Sequence, residues 1–264
     1  MKSPLRWLLP VAAFALGAGL YYYYWRGTHP PEPPPPPVAA AEPAPKPLEA
    51  PRILHPVPET PPPAAPLPPL ASSDALITET VSGMFGREAY ARFFYPDGLL
   101  RRFVATVDNL PRKSAAARLM PVKPVPGTFV VTGNEKGFEI GAENALRYRP
   151  YVVAMEAVEA RRLVAAYVRL YPLFQSAYEE LGYPNGYFND RLVQAIDDLL
   201  AAPDIAAPAL VVQPKVLYEY ADADLEERSA GQKMMLRMGT GNAARVKDKL
   251  RAIRRELTGR LTTP

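Results

Sequence analysis

Apolar positions along the C-terminal two thirds of this chain recur at helical spacing. The clearest run is Val153, Ala157, Ala160, Val164, Tyr167, Tyr171, Phe174, Tyr178 and Leu181. Its steps alternate four and three, which places all nine on one helix face. Glu156, Glu159, Arg162, Arg169 and Glu179 fall largely off that stripe, toward water. The spacing predicts one helix from near Tyr151 to Leu181. Pro172 lacks the N–H for the carbonyl four residues back, so a kink is expected there without a stop. Gly182 is the expected left-handed terminator, and Tyr183-Pro184-Asn185-Gly186 the turn. A second helix follows from Phe188, capped by Asn189 or Asp190 and ended by Pro203. Leu192, Ile196, Leu199 and Leu200 form its apolar face. The two helices are expected to pack antiparallel as a hairpin.

The flanking pattern is also mainly helical. Ser72-Ser73-Asp74 opens a helix bearing Leu76, Ile77, Val81 and Met84, and Gly86 breaks it. Arg87 to Tyr95 and Leu99 to Asn109 are the next two candidates. Phe129–Thr132 and Phe138–Ile140, around Gly133 to Gly137, predict a β-hairpin with a five-residue loop. Val216 to Tyr220 reads as a short strand that lies beside that hairpin. Asp222–Arg228 and Ala230–Met238 are helical, and Ala243 to about Leu261 is the last long helix, with Val246, Leu250, Ile253 and Leu257 as its stripe. The expected fold is mainly α: a single helical domain over 71–264 with a small β-hairpin.

The first 70 residues follow other rules. Trp7 to Trp25 is an uncharged run of nineteen residues, near the length of a membrane-crossing helix, ending in an aromatic belt at Tyr21–Trp25. It is too long, and too bulky at its end, for a cleaved signal peptide. Lys2 and Arg6 precede it, a slight basic bias that places residues 1–6 in the cytoplasm and exports the rest. Residues 26–70 read as a disordered proline-rich spacer. Of the 33 prolines, 19 fall between Pro30 and Pro69, and too few apolar side chains remain there for a core.

Composition closes off several chemistries. The chain has no cysteine, which excludes disulfides, thiolate metal sites and Cys nucleophiles. Its two histidines, His29 and His55, lie in or beside the proline-rich stretch, so the domain is expected to lack an imidazole base or zinc ligand. No cofactor and no metal site is expected, and no phosphate-loop or GxSxG pattern occurs. The net charge of +4 suits anionic neighbours without choosing among them.

Three strings, RRFVATVDNLPR from Arg101, LYPLFQSAYEELGYPNGYFNDRL from Leu170 and SAGQKMMLRMGTGNAARVKDKL from Ser229, carry a resemblance. The chain resembles a bacterial family of single-pass membrane-anchored proteins known only as a domain of unknown function. The resemblance covers essentially the whole globular part. It implies a Gram-negative inner-membrane protein with a proline-rich spacer, and it supplies no activity and no catalytic residues.

Two groups of residues are candidate binding surfaces. Tyr183, Tyr187 and Phe188 cluster at the turn with Asn185, Asn189 and Asp190 beside them, as rings beside carboxamides and acids do in sugar clefts; the alternative is that the rings pack under the turn. Arg245, Lys247, Arg251 and Arg254 lie on a basic face of the last helix, which suits an acidic partner, anionic lipid or a cell-wall polymer. Gly239-Thr240-Gly241 before it faintly resembles a helix-hairpin-helix, with Arg245 where a small residue is wanted. The acid pairs Glu179-Glu180, Asp197-Asp198 and Glu226-Glu227 read as solvated helix faces, since adjacent residues point about 100° apart. The expectation is a non-catalytic periplasmic interaction or scaffold module tethered to the inner membrane through residues 7–25. An envelope protein or an anionic cell-wall polymer is its possible partner. The alternatives are a carboxylate-based cell-wall glycan hydrolase or lyase, or a cytosolic nucleic-acid-binding domain if the topology is inverted.

Overall fold

The computed structural model describes Tyr24 and residues 53–58, 66–134, 137–205 and 208–258. The chain divides into two compact units, Met1–Ala50 and Pro51–Pro264. Of the first unit only Tyr24, a helical residue, is described. The rest of the Trp7–Trp25 run and most of the proline-rich stretch lie outside the described residues. Among the described residues, no helix is long and apolar enough to cross a membrane.

The second unit is mainly helical with a small antiparallel sheet. In order it runs α1 (Asp74–Phe85), α2 (Arg87–Phe93), α3 (Leu99–Asn109), β1 (Val131–Asn134), β2 (Gly137–Ile140), α4 (Glu143–Glu156), α5 (Ala160–Glu180), α6 (Phe188–Leu200), β3 (Leu210–Val212), β4 (Glu219–Tyr220), α7 (Ala223–Glu226), α8 (Ala230–Arg237) and α9 (Thr240–Thr258). The sheet order is β1-β2-β3-β4. Helix boundaries fall at Asp74, Gly86, Leu99, Asn109 and Phe188, as expected, although neither α1 nor α6 has a side-chain hydrogen bond at its N-cap.

Four expectations change. First, the long helix from Tyr151 to Leu181 is two helices, broken at Ala157–Glu159. Val153, Ala157 and Leu181 of the nine-residue stripe are exposed, while Val164, Tyr167 and Tyr178 are buried. The stripe in the sequence runs on through the break, but burial leaves it there: Ala157 is exposed and Val158, one position off the stripe, is 2% exposed. The carbonyls that the break frees are capped from α9, where the Lys249 ammonium donates to Glu156 (3.2 Å) and Val158 (2.6 Å). Second, α5 and α6 do not form a simple hairpin. Each packs more extensively against α3 and α9 than against the other. Pro172 is exposed, and α5 continues through it as expected.

Third, the hairpin belongs to a four-stranded sheet. Asn134 pairs with Gly137, so the loop is two residues and not five. β4 covers only Glu219–Tyr220, and β3 stands between it and β2. The three-residue LVV run of β3 was too short to show a period. Fourth, the folded unit starts before residue 71: residues 53–58 and Leu70 lie on the helices, and His55 is seated there with them.

The main core gathers Ile77, Leu100, Val104, Val164, Leu170, Phe188 and Ile196 from α1, α3, α5 and α6, with Leu257 of α9. Smaller clusters join α8 to the sheet around Val211, Tyr220 and Leu236, and to α9 around Met235 and Ala243. The main core does not close completely. A cavity of about 350 Å³ lies between α1, α3, α5, α6 and α9.

Two glycines test the packing with opposite signs. A Cβ on Gly231, in α8, would sit 2.7 Å from Leu199 Cδ2 and 3.2 Å from the Leu110 carbonyl oxygen, whereas one on Gly83, in α1, meets nothing within 4 Å. Gly231→Ala is expected to destabilise the unit by about 1–3 kcal/mol. Gly83→Ala is expected to stabilise it by up to about 1 kcal/mol. Urea unfolding midpoints of the two variants check both.

Candidate functional site

The turn between α5 and α6 is built by close approach. Gly182 takes φ +115° and ends α5, and the Gly186 N–H donates to the Tyr183 carbonyl at 3.0 Å. Gly186 does not use a positive φ. It is small because a Cβ there would lie 2.7 Å from the Tyr178 ring. Tyr183 stacks on Tyr178 with centroids 4.6 Å apart. Phe188 is fully buried, parallel to Phe174 at 5.8 Å and tilted against Tyr178 at 5.5 Å. Tyr183 and Phe188 therefore pack under the turn and do not line an open sugar cleft.

Starting α6 inside the core exposes a problem of helix termini, because its first N–H groups have no intrahelical partner and no water. Neither Asn189 nor Asp190 caps it. Gln175 does, one helix away: its Oε1 accepts from the Phe188 N–H at 2.9 Å and from the Tyr171 hydroxyl at 2.9 Å. Its Nε2 donates to the Gly186 carbonyl at 2.7 Å. Asn189, with no exposed surface, accepts from the Tyr167 hydroxyl at 2.9 Å. Burial pushes the Tyr167 and Tyr171 phenols well above the ordinary tyrosine range, so both stay protonated donors.

The other groups at this end hold a strap of the chain's own backbone. The Asp190 carboxylate accepts from the Leu54 N–H at 3.1 Å and the His55 N–H at 2.7 Å. Asn189 Nδ2 donates to the His55 carbonyl at 2.8 Å, and the Tyr187 hydroxyl accepts from the Val57 N–H at 3.0 Å. Pro58 is buried, and Val57 packs on the main core. Asn189 and Tyr187 are thus brought together on one extended segment.

Beside the strap, Asp108 at the end of α3 ties three elements together. It is 5% exposed and accepts from Arg112 (2.7 Å), Arg191 Nε (3.1 Å) and the Tyr183 hydroxyl (3.3 Å). Arg191 also donates to the Asp108 carbonyl. The Arg112 guanidinium is held above its usual value, chiefly by its hydrogen bond to Asp108. Sequence reasoning passed over Asp108, Gln175 and Arg191 as site residues, and set Asp190 only beside the rings of the turn. Asp108 carried a signal, an acid four residues after Val104 on the buried stripe of α3. The strap carried one too, since Ile53, Leu54 and Val57 interrupt a segment otherwise rich in Pro, Ala and Glu.

The basic candidates on α9 stand apart from this cluster and make intramolecular bonds. Arg245 pairs with Glu156, whose carboxyl it holds below the usual range by hydrogen bonding. Lys247, 4% exposed, donates to the Ala202 carbonyl and to Asp204, both at 2.7 Å. Arg254 donates to Asp197 at 2.5 Å and 3.1 Å. Arg251, exposed, contacts Asp248 at 2.8 Å. Thr240 and Gly241 begin α9, with Gly239 at φ +83° ahead of them. The acid pairs are distributed in the same way: Glu180 to Arg101, Asp198 to Ser229 and Gln232, Glu226 to Lys233 and the Tyr220 N–H. Among the described residues, no group of three or more His, Asp or Glu is placed to hold a metal ion.

The fold and these contacts define a mainly helical domain that clasps an extended strap of its own chain at the start of α6. The chain belongs to the family DUF3014, described as a protein of unknown function, whose sequence model matches residues 99–254. No curated protein and no solved structure matches it.

Asp190→Ala is expected to release the strap without unfolding the helices: amide exchange of Leu54 and His55 should rise at least roughly tenfold, while Val104 and Val193 keep their protection. Hydrogen exchange read by mass spectrometry checks this. A second expectation concerns pH. Tyr167 and Tyr171 ionise higher in the folded state than in the unfolded chain, so their contribution is complete below about pH 10 and is lost as pH rises beyond it. Urea midpoints between pH 8 and 11 should hold level and then fall. In Tyr167→Phe the alkaline fall should be shallower.

Proposed function

We propose that residues 51–264 form a non-catalytic interaction module. Residues 7–25 hold it at a bacterial inner membrane, and the proline-rich segment presents it in the periplasm. The observation that carries this reading is the strap. The most developed polar site of the domain, formed by Tyr187, Asn189 and Asp190, grips the main chain of an extended, proline-flanked segment. Main-chain hydrogen bonds with side chains seated beside them are how a peptide is held, in contrast to acids converging on a scissile bond. Arg251 and its exposed neighbour Arg255 remain as the surface of α9 for an anionic envelope partner.

The test is made in whole cells and on the full chain. With the outer membrane opened and the inner membrane intact, added protease should digest the domain. The purified full chain should release no soluble fragments from cell-wall material. Protection until the inner membrane is lysed would remove the periplasmic placement. Release of wall fragments, lost on substituting Asp197 or Glu226, would instead make the protein an enzyme.

A further inference from the structure

The cavity in the main core is uniform in its chemistry. It measures about 350 Å³, against the ~150 Å³ of an engineered apolar cavity that stays dry and takes up benzene. Almost all of its lining is carbon, from residues such as Met84, Phe103, Leu163, Phe174, Leu199 and Ile253. The one hydroxyl on an aliphatic side chain, that of Thr80, donates to the Leu76 carbonyl at 2.8 Å. The Tyr167 hydroxyl is held by Asn189. Water inside would find almost no partners, and ordered water needs two to four.

Its shape follows the helices. The lining runs along α3 from Leu99 to Leu110 and along α5 from Leu163 to Phe174. At 1.5 Å of rise per residue each stretch spans ~16 Å. A void of this volume drawn out along two helices is long and narrow. Ring-shaped ligands fit the ends of such a space, and an extended chain fits its length. Met84, Leu163 and Ile253 are partly exposed at it, as walls facing an unfilled interior are.

We propose that this cavity is a binding site for an aliphatic hydrocarbon chain. The site is independent of the strap and of its peptide-holding contacts. The ligand chemistry is that of an acyl tail, which a free fatty acid or a membrane phospholipid can supply. Burial of its methylenes against the lining is the whole of the attraction. Selectivity is therefore for length and against branching or polarity within the chain.

The test uses the full chain in phospholipid bilayer discs. In one arm the discs carry a free fatty acid with a mid-chain diazirine; in the other, a phospholipid with the same acyl group. After irradiation, labelled peptides are mapped by mass spectrometry. Label on residues 99–110 and 163–174, competed at least roughly fivefold by unlabelled dodecanoate, is the expected result. The arm that labels names the source. In Ala166→Phe, which fills the cavity from α5, that label should fall at least roughly fivefold, while label near residues 7–25 stays unchanged. The milder Ala166→Leu should lower it in the same sense. Label confined to residues 7–25 or to outer surfaces in the wild-type chain would overturn the proposal, as would labelling of the lining that dodecanoate does not compete. Insertion of the chain's own apolar N-terminal run would show as a crosslink-free cavity and count against it equally.

Discussion

A helix that begins inside a protein must find partners for its first amides without help from water, and α6 begins at two residues with no exposed surface, Phe188 and Asn189. Much of the surrounding structure answers that constraint. Gln175 reaches across from α5 to cap the Phe188 amide and, through its other end, to hold the turn at Gly186. Tyr167 and the strap share the two ends of the Asn189 carboxamide. Asp190, in the first turn where a carboxylate suits the positive helix end, takes the strap's amides instead of the helix's own. Among the described residues every buried side-chain nitrogen and oxygen finds a partner. A network satisfied throughout rigidifies its site, whereas one missing member leaves buried groups unpaired at about 1–3 kcal/mol each.

The apolar side of the same core meets a different constraint. An apolar space of about 350 Å³ leaves its lining side chains without contact partners on one side, and that lowers the stability of the core. A site so fully satisfied in its polar groups and so incompletely filled in its apolar ones is uneven in a directed way. The polar end holds α3, α5 and α6 in place through Asp108, Arg191 and Gln175. Those are the helices whose apolar faces stand apart around the cavity. At the polar end the turn between α5 and α6 is closely packed, through Gly186 and the Tyr178–Tyr183 stack.

Helix existence was legible because α1, α3, α6 and α9 carry both a period and a boundary residue. The Ala157–Glu159 break was not, because the apolar stripe keeps its helical spacing across it in the sequence, and the groups that make the break tolerable sit on α9, some ninety residues away. The four-stranded sheet was half legible for a related reason. β1 and β2 form their own hairpin, whereas β3 is recognisable only by pairing with β2 through Phe138 and Val211. At the candidate site the aromatic cluster was visible, and its burial was one of the two outcomes weighed. The strap was hidden by composition: a proline-rich stretch reads as solvent-exposed, and it is held here by its main chain and by Val57, while the Ile53 and Leu54 side chains stay exposed.

The last helix shows why a charge pattern underdetermines a role. Six basic residues against two acids along α9 read as an open cationic face. Yet Arg245, Lys247, Lys249 and Arg254 each meet an acid or a carbonyl from α4, α6 or the loop after α6. Lys247 is the instructive case. An ammonium 4% exposed would be strongly destabilising alone, and it is sustained by the Ala202 carbonyl and the Asp204 carboxylate together. Local counting of charges along α9 cannot see those partners, since they come from other elements. What α9 supplies to the fold is therefore electrostatic closure: it seals the broken junction before α5 and the end of α6, while its apolar side, through Leu250, Ile253 and Leu257, forms one wall of the cavity. The same helix that looked most like an outward-facing surface is the one that holds the helical core from behind.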